Sequence, residues 1–395
     1  MPTAPLIIVG AGPVGLSLGL ALRQAGVPAL ILEHRSAIPQ DHRATTLQPP
    51  TLEMLAGWGV LDQVLSHGRR IDRLQYWDWI SRTLLADLDF SAIGEHTACP
   101  YRAHVHQWHL SQVLLDTLQA DFPGTVHLGH KVVGVQDHGR SATVDVQTRD
   151  GSEHTLEASW VIACDGHGST VRTRLGIGWQ AEAAPQAFLT CAASLDVLEG
   201  MGGIASLATL FGTGGWTLMM QMREAVRFLF QSSGDRAVLT KDAMAARART
   251  LLGPGAEGAL AGVSMYTVRP ALAETFRRGR VLLAGDSAHS AYPVGGTAMN
   301  CGIHDAFFLA GALITGGEAA LDAYASSRRA WAHRQLIAQA SESLRAVSAR
   351  GPFRRQSRKR TLWRLGERPD EARIHLLRLS MLDDGQGQAC LPAHD

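Results

Sequence analysis

Residues 6–33 read LIIVGAGPVGLSLGLALRQAGVPALILE, and their order decides the fold class. An apolar run, Leu6-Ile7-Ile8-Val9, stops at Gly10-Ala11-Gly12-Pro13-Val14-Gly15. A helical pattern from Leu16 to Ala25 closes at Gly26, and a second apolar run, Ala29 to Leu32, ends at Glu33. Strand, glycine turn, helix, strand and acid in this order make the βαβ unit that grips a dinucleotide. Gly10 permits the tight turn, Gly12 the close approach of a pyrophosphate, and Gly15 the packing of helix on strand. Glu33, 18 residues past Gly15, is placed to accept hydrogen bonds from a ribose hydroxyl. Pro13 and Val14 in the loop, and His34 and Arg35 beside the acid, join them as cofactor-binding candidates. The unit alone does not separate NAD from FAD.

A second stretch far down the chain, residues 281–305, reads VLLAGDSAHSAYPVGGTAMNCGIHD. An apolar strand ends in Gly285-Asp286; then come Pro293, Gly295-Gly296, and Asn300 at the opening of an apolar helical pattern. A loop with few side chains before a helix N-terminus lets backbone N–H groups point at an electron-rich ligand. One ligand can therefore be gripped from both ends of the sequence.

Composition sets the outer limits. At 395 residues the chain suits two or three domains with a large core. A net charge of +1 with 18% charged residues recommends neither nucleic acid nor an anionic membrane as a general partner. The N-terminal apolar segment lacks a preceding basic region and carries the glycine motif, so it is not read as a signal peptide. The uncharged run Met201 to Met222 is interrupted by glycines, which argues against a membrane span. The expectation is a cytoplasmic protein, monomer or homodimer. Five scattered cysteines without a C-x-x-C argue against a disulfide framework or a metal site.

Along the chain, a βαβ pattern and a helix from about Pro50 to Leu65 give way to alternating strands in 74–104. A helix, Leu110 to Leu118, leads to strands over Val126 to Thr148 with a turn at Asp137-His138-Gly139. Another apolar strand, Ser159 to Ala163, ends at Cys164-Asp165-Gly166. Residues 185–268 are β-rich, with a hairpin expected from Trp216 to Gln231 around Arg223-Glu224. The nucleotide pattern resumes at Gly279 and turns helical from Asn300 to about Ser348.

Three motifs, Gly10 to Gly15 with Glu33, Asp165-Gly166 after a strand, and Gly285-Asp286 with Pro293 and Asn300, stand in the order found in single-component FAD-dependent aromatic monooxygenases. Over roughly residues 1–345 the chain resembles the p-hydroxybenzoate hydroxylase family. That resemblance implies an α/β fold with an α+β substrate domain: a Rossmann-like FAD-binding domain, discontinuous in sequence, with an inserted antiparallel β-sheet substrate domain. The expected division is FAD-binding parts 1–73, 105–180 and 271–348, substrate parts 74–104 and 181–270, and a helical, basic tail 349–395. It also implies FAD, NADH or NADPH as electron donor, O2 reduced to a flavin hydroperoxide, and hydroxylation of a small aromatic or heteroaromatic substrate.

The same resemblance implies roles for single residues. Asp286 would bind the ribityl chain, and the backbone of Gly296, Ala298, Met299 and Asn300 would meet the pyrimidine edge of the flavin. Asp165 matches a second family fingerprint, its plain alternative being an N-cap or turn aspartate. Arg43 matches an arginine near flavin and pyrophosphate, and Gln107 a phosphate contact. Arg227, with Pro293 and Tyr292 on the flavin loop, are the catalytic candidates; Arg227 would couple nicotinamide binding to flavin movement. His289 matches a family histidine for which a structural hydrogen bond is the expectation.

Departures bear on the substrate. Ala298 stands where the family has glycine; a Cβ there suits a helix but penalises positive φ. Gln221 replaces the arginine that holds p-hydroxybenzoate's carboxylate, and Met219 a nearby serine, so p-hydroxybenzoate is not expected to bind in that manner. Trp216, Met219 and Gln221 are the substrate candidates. Trp216, Leu218, Met220, Phe228 and Phe230 alternate and read either as an aromatic-substrate wall or as plain core. The basic run Arg350 to Arg364 reads as a solvated face or a helix packed by its apolar side. Alternatives kept open are epoxidation, Baeyer–Villiger or reductase chemistry on the same fold, or a non-catalytic FAD-binding protein.

Overall fold

The computed structural model describes residues 4–40, 44–181, 184–212, 215–232, 240–348 and 351–383. Its centre is Leu6–Val9, a four-residue strand buried at every position. Such a strand satisfies its backbone only between two neighbours, and it pairs in parallel with Ala29–Glu33 on one side and Trp160–Ala163 on the other. Val126–Leu128 and Val281–Leu283 extend the parallel sheet outward, and Arg277–Arg278 adds an antiparallel edge. One six-stranded sheet is thus assembled from three separated parts of the chain. Parallel strands covered on both faces read as continuous apolar runs, which is the pattern these segments carry.

Helix Pro13–Gln24 starts at Gly12 and packs between this sheet and helix Ala298–Thr315. Close approach is enforced by small residues. A Cβ on Gly302 would lie 2.6 Å from the Val14 side chain, and one on Gly285 2.8 Å from it. Ala298–Thr315 is long and apolar enough to cross a bilayer, yet 56% of it is buried inside the fold. Its hydrophobicity is accounted for by this packing.

A seven-stranded sheet forms the second layer, in the order Ala261–Val268, Gln186–Ala193, Val226–Ser232, Gly215–Gln221, Leu207–Gly212, Arg73–Asp78, Thr83–Asp89. The hairpin around Arg223-Glu224 is present, with Met220 opposite Arg227. The sheet is mixed, against the antiparallel expectation, because Leu207–Gly212 runs parallel to Arg73–Asp78. These two strands are far apart in sequence, so the long connection that a parallel pair needs is available. Residues 102–104 also depart from the expected substrate sheet; they pair with Thr46–Leu47 and Arg69–Ile71 in a small separate sheet.

The basic segment near the C-terminus folds as helices Pro352–Glu367 and Pro369–Leu379. They bury Leu362, Leu365 and Leu376 against the strand Thr83–Asp89 and the turn Phe90–Ile93. Lys359 pairs with Asp78. The segment packs by its apolar side and completes the enclosure described next.

Candidate active site

The carboxyl ends of the parallel strands converge. Gly10 follows Leu6–Val9, Glu33 ends its strand, Asp165 follows Trp160–Ala163, and Gly285-Asp286 follows Val281–Leu283. Ligands of open α/β sheets bind outside this edge. Here the edge opens into a cavity of about 1800 Å³, running from Gly12, Glu33 and Gln107 to the seven-stranded sheet and the C-terminal helices. Pockets for one small ligand span roughly 300–1,000 Å³. The volume suits a dinucleotide with a second ligand beyond it.

The glycine loop is shaped by what side chains would strike. A Cβ on Gly15 would sit 2.0 Å from the Gly10 carbonyl oxygen, and Gly10 itself has φ of +107°. A Cβ on Gly12 would meet nothing within 4 Å. Space is therefore kept on the ligand side of Gly12. Helix Pro13–Gln24 has no side-chain cap and no acid in its first turn, so its free N–H groups are left for an anion. Helix Ala298–Thr315, N-capped by Thr297 without a side-chain hydrogen bond, presents its start to the same cavity. The two helix N-termini face one volume from either end of the chain.

Glu33 is 5% exposed and holds the loop in shape. Its Oε2 accepts from Ala11 N at 2.9 Å and its Oε1 from Arg35 N at 2.9 Å. The His34 imidazole lies 2.9 Å from the same oxygen. Asp165 accepts from Val171 N at 3.1 Å through Oδ2, while its buried Oδ1 has no partner. Burial raises its pKa, opposed by hydrogen bonds from Ser169 and the backbone. The N-cap of the short helix Thr170–Arg174 is Ser169. An orphaned buried carboxylate oxygen at the cavity wall fits a ligand hydroxyl as its partner.

The loop before helix Ala298–Thr315 is tied down by Asn300. Fully buried, its amide accepts from Gln48 N at 2.9 Å and donates to Thr46 O at 2.8 Å and Gly296 O at 2.7 Å. Gln48 Nε2 returns a bond to Gly295 O at 2.9 Å. Beneath lies a buried charge network. Asp305 accepts from Arg328 Nε at 2.8 Å and from Gly285 N at 3.0 Å, and its Oδ2 lies 2.6 Å from His289 Nε2. Burial works against the Asp305 charge, but His289 and Arg328 hold its pKa down at about 2. For His289, burial is outweighed by Cys301 and Asp305, which raise its pKa. Asp305, held by His289 and Arg328, thus ties down the Gly285 backbone from below.

Most sequence-derived candidates line this one cavity: Gly10, Gly12, Pro13, Val14, Glu33, His34, Arg35, Gln107, Asp165 and Asp286, then Pro293, Gly296, Ala298, Met299, Trp216 and Arg227. Gly15 and Asn300 support the wall from behind. Arg43 lies outside the described residues. Three candidates are corrected. Tyr292 is buried and donates its hydroxyl to Ala184 O at 2.8 Å, away from the cavity. Met219 is fully buried on the opposite face of its strand, with Phe228 and Phe230, because successive strand residues alternate sides. Gln221 shares that phase; its Oε1 accepts from Ser206 Oγ at 2.8 Å. The cavity face carries Trp216, Leu218, Met220, Arg227 and Leu229 instead. So the alternating set divides: three of its members form the wall and two the core.

Ala298 is the first residue of its helix and has no positive φ, so a Cβ is accommodated without strain. Positive φ falls on Gly295 and Gly296 instead. Sequence reasoning overlooked Tyr76, Arg102 and His375 at the far end. Arg102 alternates with His104 along a buried strand, a faint signal; His375 stands on a helix with no motif around it.

Comparison with known proteins agrees with this site. The family described as FAD binding domain matches residues 3–339. The chain is 28% identical over 337 residues to para-nitrophenol 4-monooxygenase of Pseudomonas sp. (strain WBC-3), covering 82% of each protein. It is 29% identical to the 3-(3-hydroxy-phenyl)propionate/3-hydroxycinnamic acid hydroxylase of Klebsiella pneumoniae, over 83% of this chain and 59% of that longer relative. The crystal structure of p-nitrophenol 4-monooxygenase from Pseudomonas putida DLL-E4 superposes with a TM-score of 0.87 at 26% identity, covering 96% of this chain and 98% of that one. Fold, site and relatives agree, and the chain belongs to the FAD binding domain family, among the flavin-dependent monooxygenases that act on aromatic compounds.

Proposed function

We propose that this protein inserts an oxygen atom from O2 into a small aromatic or heteroaromatic ring, with NADH or NADPH as electron donor. The observation that carries the reading is the single cavity shared by the glycine loop at one end and the apolar sheet face with Arg227 at the other. FAD would be held by the Gly10–Gly15 loop, Glu33, Gln107, Asp165, Asp286 and the backbone of Gly296 to Met299. When bound, it supplies the transfer of electrons from NAD(P)H to O2 and of oxygen to the ring. Trp216, Leu218 and Met220 exclude water and give the ring an apolar wall. Arg227, only 7% exposed, keeps a cation on that wall. The relatives named for nitrophenol and hydroxyphenylpropionate point to phenolic rings.

A reducing, cytoplasmic setting is supported by four free cysteines among the described residues. A monomer or homodimer is the assembly we assign. Purified protein should be yellow and should oxidise NAD(P)H faster when a suitable phenol is present, with O2 uptake and a product heavier by one oxygen. Hydrogen peroxide as the only product across a phenol, pyridine and quinolone panel would overturn the reading.

A further inference from the structure

Charge is divided unevenly along the cavity. Its acidic lining residues, Glu33, Asp165 and Asp286, all stand at the parallel sheet's edge. The far end, between the seven-stranded sheet and the C-terminal helices, is lined by Arg102, Arg354 and Arg358 with no acid among the described residues. Arg354 and Arg358 sit on helix Pro352–Glu367 and reach solvent in part.

Arg102 is different. It is 4% exposed, on the strand Arg102–His104 at the cavity wall. One terminal nitrogen donates to the Leu379 carbonyl, and the guanidinium lies 5.1 Å from the centre of the Phe90 ring. Its Nε is buried without a hydrogen-bond partner. Beside it, Tyr76 and His375 meet at 3.0 Å, phenol oxygen to Nε2, and both line the same end. Burial raises the Tyr76 pKa to about 12, against the pull of Arg102, and lowers that of His375 to about 4. Both are neutral near pH 7, so Arg102 holds the one charge of this triad. A buried cation without a counter-charge is costly, and a ligand that brings the anion removes the cost.

We infer that Arg102, with Tyr76 and His375, forms an anion-recognising end of the substrate cavity, so that the preferred aromatic substrate carries a carboxylate or phenolate. The inference rests on the oxygenation reading above and names its substrate class. It also gives the C-terminal helices a role, since His375 and the Leu379 carbonyl, both on Pro369–Leu379, fix this end. Recognition through a charge-assisted contact adds specificity that the apolar wall cannot supply.

The test uses FAD-loaded enzyme and flavin absorbance changes on titration with matched probes. These are benzoate against benzamide for the carboxylate, and p-nitrophenolate against p-nitroanisole for the phenolate. The anionic member of at least one pair should bind about tenfold or more tightly, and the responding pair identifies the anion. Arg102→Gln should bring that ratio to within about twofold while leaving the neutral probe's affinity in place. Equal or absent binding of both anionic probes overturns the inference, as does a preference that survives in Arg102→Gln. If that variant fails to retain FAD, His375→Ala decides: the preference should fall several-fold, and an intact preference overturns the inference. Failure of the oxygenation reading looks different. Anionic probes would then bind through Arg102 while no ring stimulates NAD(P)H oxidation.

Discussion

The backbone N–H of Gln48 donates to Oδ1 of Asn300 at 2.9 Å, joining residues 252 positions apart at the base of the Gly295-Gly296 loop. Asn300 also donates to Thr46 O and Gly296 O, so one side chain carries three bonds in a fully buried place. Net values near 1 kcal/mol per bond predict that Asn300→Ala destabilises the fold by about 3 kcal/mol. Asn300→Asp should be no better, because its carboxylate keeps the Gln48 bond but confronts two carbonyl oxygens. Urea unfolding of the apoprotein, with FAD content of the purified variants, measures both. An unchanged urea midpoint in Asn300→Ala would remove this clamp from the account.

Glu33 and Gly12 separate loop stability from ligand affinity. Glu33 already holds Ala11 N and Arg35 N, so Glu33→Ala should loosen the apoprotein as well as the cofactor. A lost charge-assisted hydrogen bond of about 1.5–3 kcal/mol predicts FAD binding weaker by roughly 10- to 100-fold. Gly12 has φ of −74°, and its Cβ would meet no protein atom. Gly12→Ala should therefore leave apoprotein stability unchanged or slightly raised while FAD affinity falls. Calorimetric melting of apoprotein, beside FAD titration, tells the two apart. Normal FAD affinity in Gly12→Ala would mean that the pyrophosphate lies elsewhere.

These two positions also mark what was legible in the chain. Gly10 to Gly15 and Glu33 are local chemistry: the turn, the helix start and the acid lie within one βαβ unit, so spacing alone locates them. Asp286 and the Gly295-Gly296 loop were legible through the order of motifs that the chain shares with the family it resembles. Strand phase was legible only in part, since the alternating set Trp216, Leu218 and Met220 reads either as wall or as core. Trp216 was assigned to the cavity together with Met219 and Gln221, although neighbours on a strand alternate and only one phase can face the ligand. Met220, in phase with Trp216, is the residue at the wall. Tyr76, Arg102 and His375 were illegible because their meeting depends on three elements brought together from distant parts of the chain. The basic run at residues 350–364 reads as a solvated face or a helix packed by its apolar side, and the second is what the fold holds: the stripe with Leu362 and Leu365 closes the cavity.

The His289–Asp305 pair predicts a pH dependence with opposite signs at the two limbs. Asp305 has its pKa lowered from 3.8 to about 2, so its contribution is complete above 3.8 and fades as pH falls toward 2. His289 has its pKa raised above 6.5, so its contribution is complete below 6.5 and fades as pH rises toward the folded value. Between about pH 4 and 6.5 the pair contributes fully. The melting temperature of the wild type should decline on the alkaline side of this window more steeply than that of His289→Gln, which has nothing to titrate. Parallel alkaline slopes in the two proteins would show that the histidine is neutral in the fold.

Arg227 offers the sharpest kinetic test. It lies opposite Met220 on the cavity face of the sheet, 7% exposed, with one terminal nitrogen 3.4 Å from Thr190 Oγ1. Burial lowers its pKa, while Tyr266 and Cys191 act in the other direction. A cation on a ligand-facing wall is expected to act on negative charge that arrives during turnover. Arg227→Ala should slow flavin reduction by NAD(P)H by about tenfold or more, near 1.4 kcal/mol of barrier, and weaken aromatic binding much less. Arg227→Lys should recover part of the rate, since it restores charge without the planar fork. Stopped-flow reduction at saturating substrate, set beside the substrate dissociation constant, separates the outcomes. Equal losses in both quantities, with no recovery in the lysine variant, would mark Arg227 as a residue that shapes the wall and takes no part in reduction.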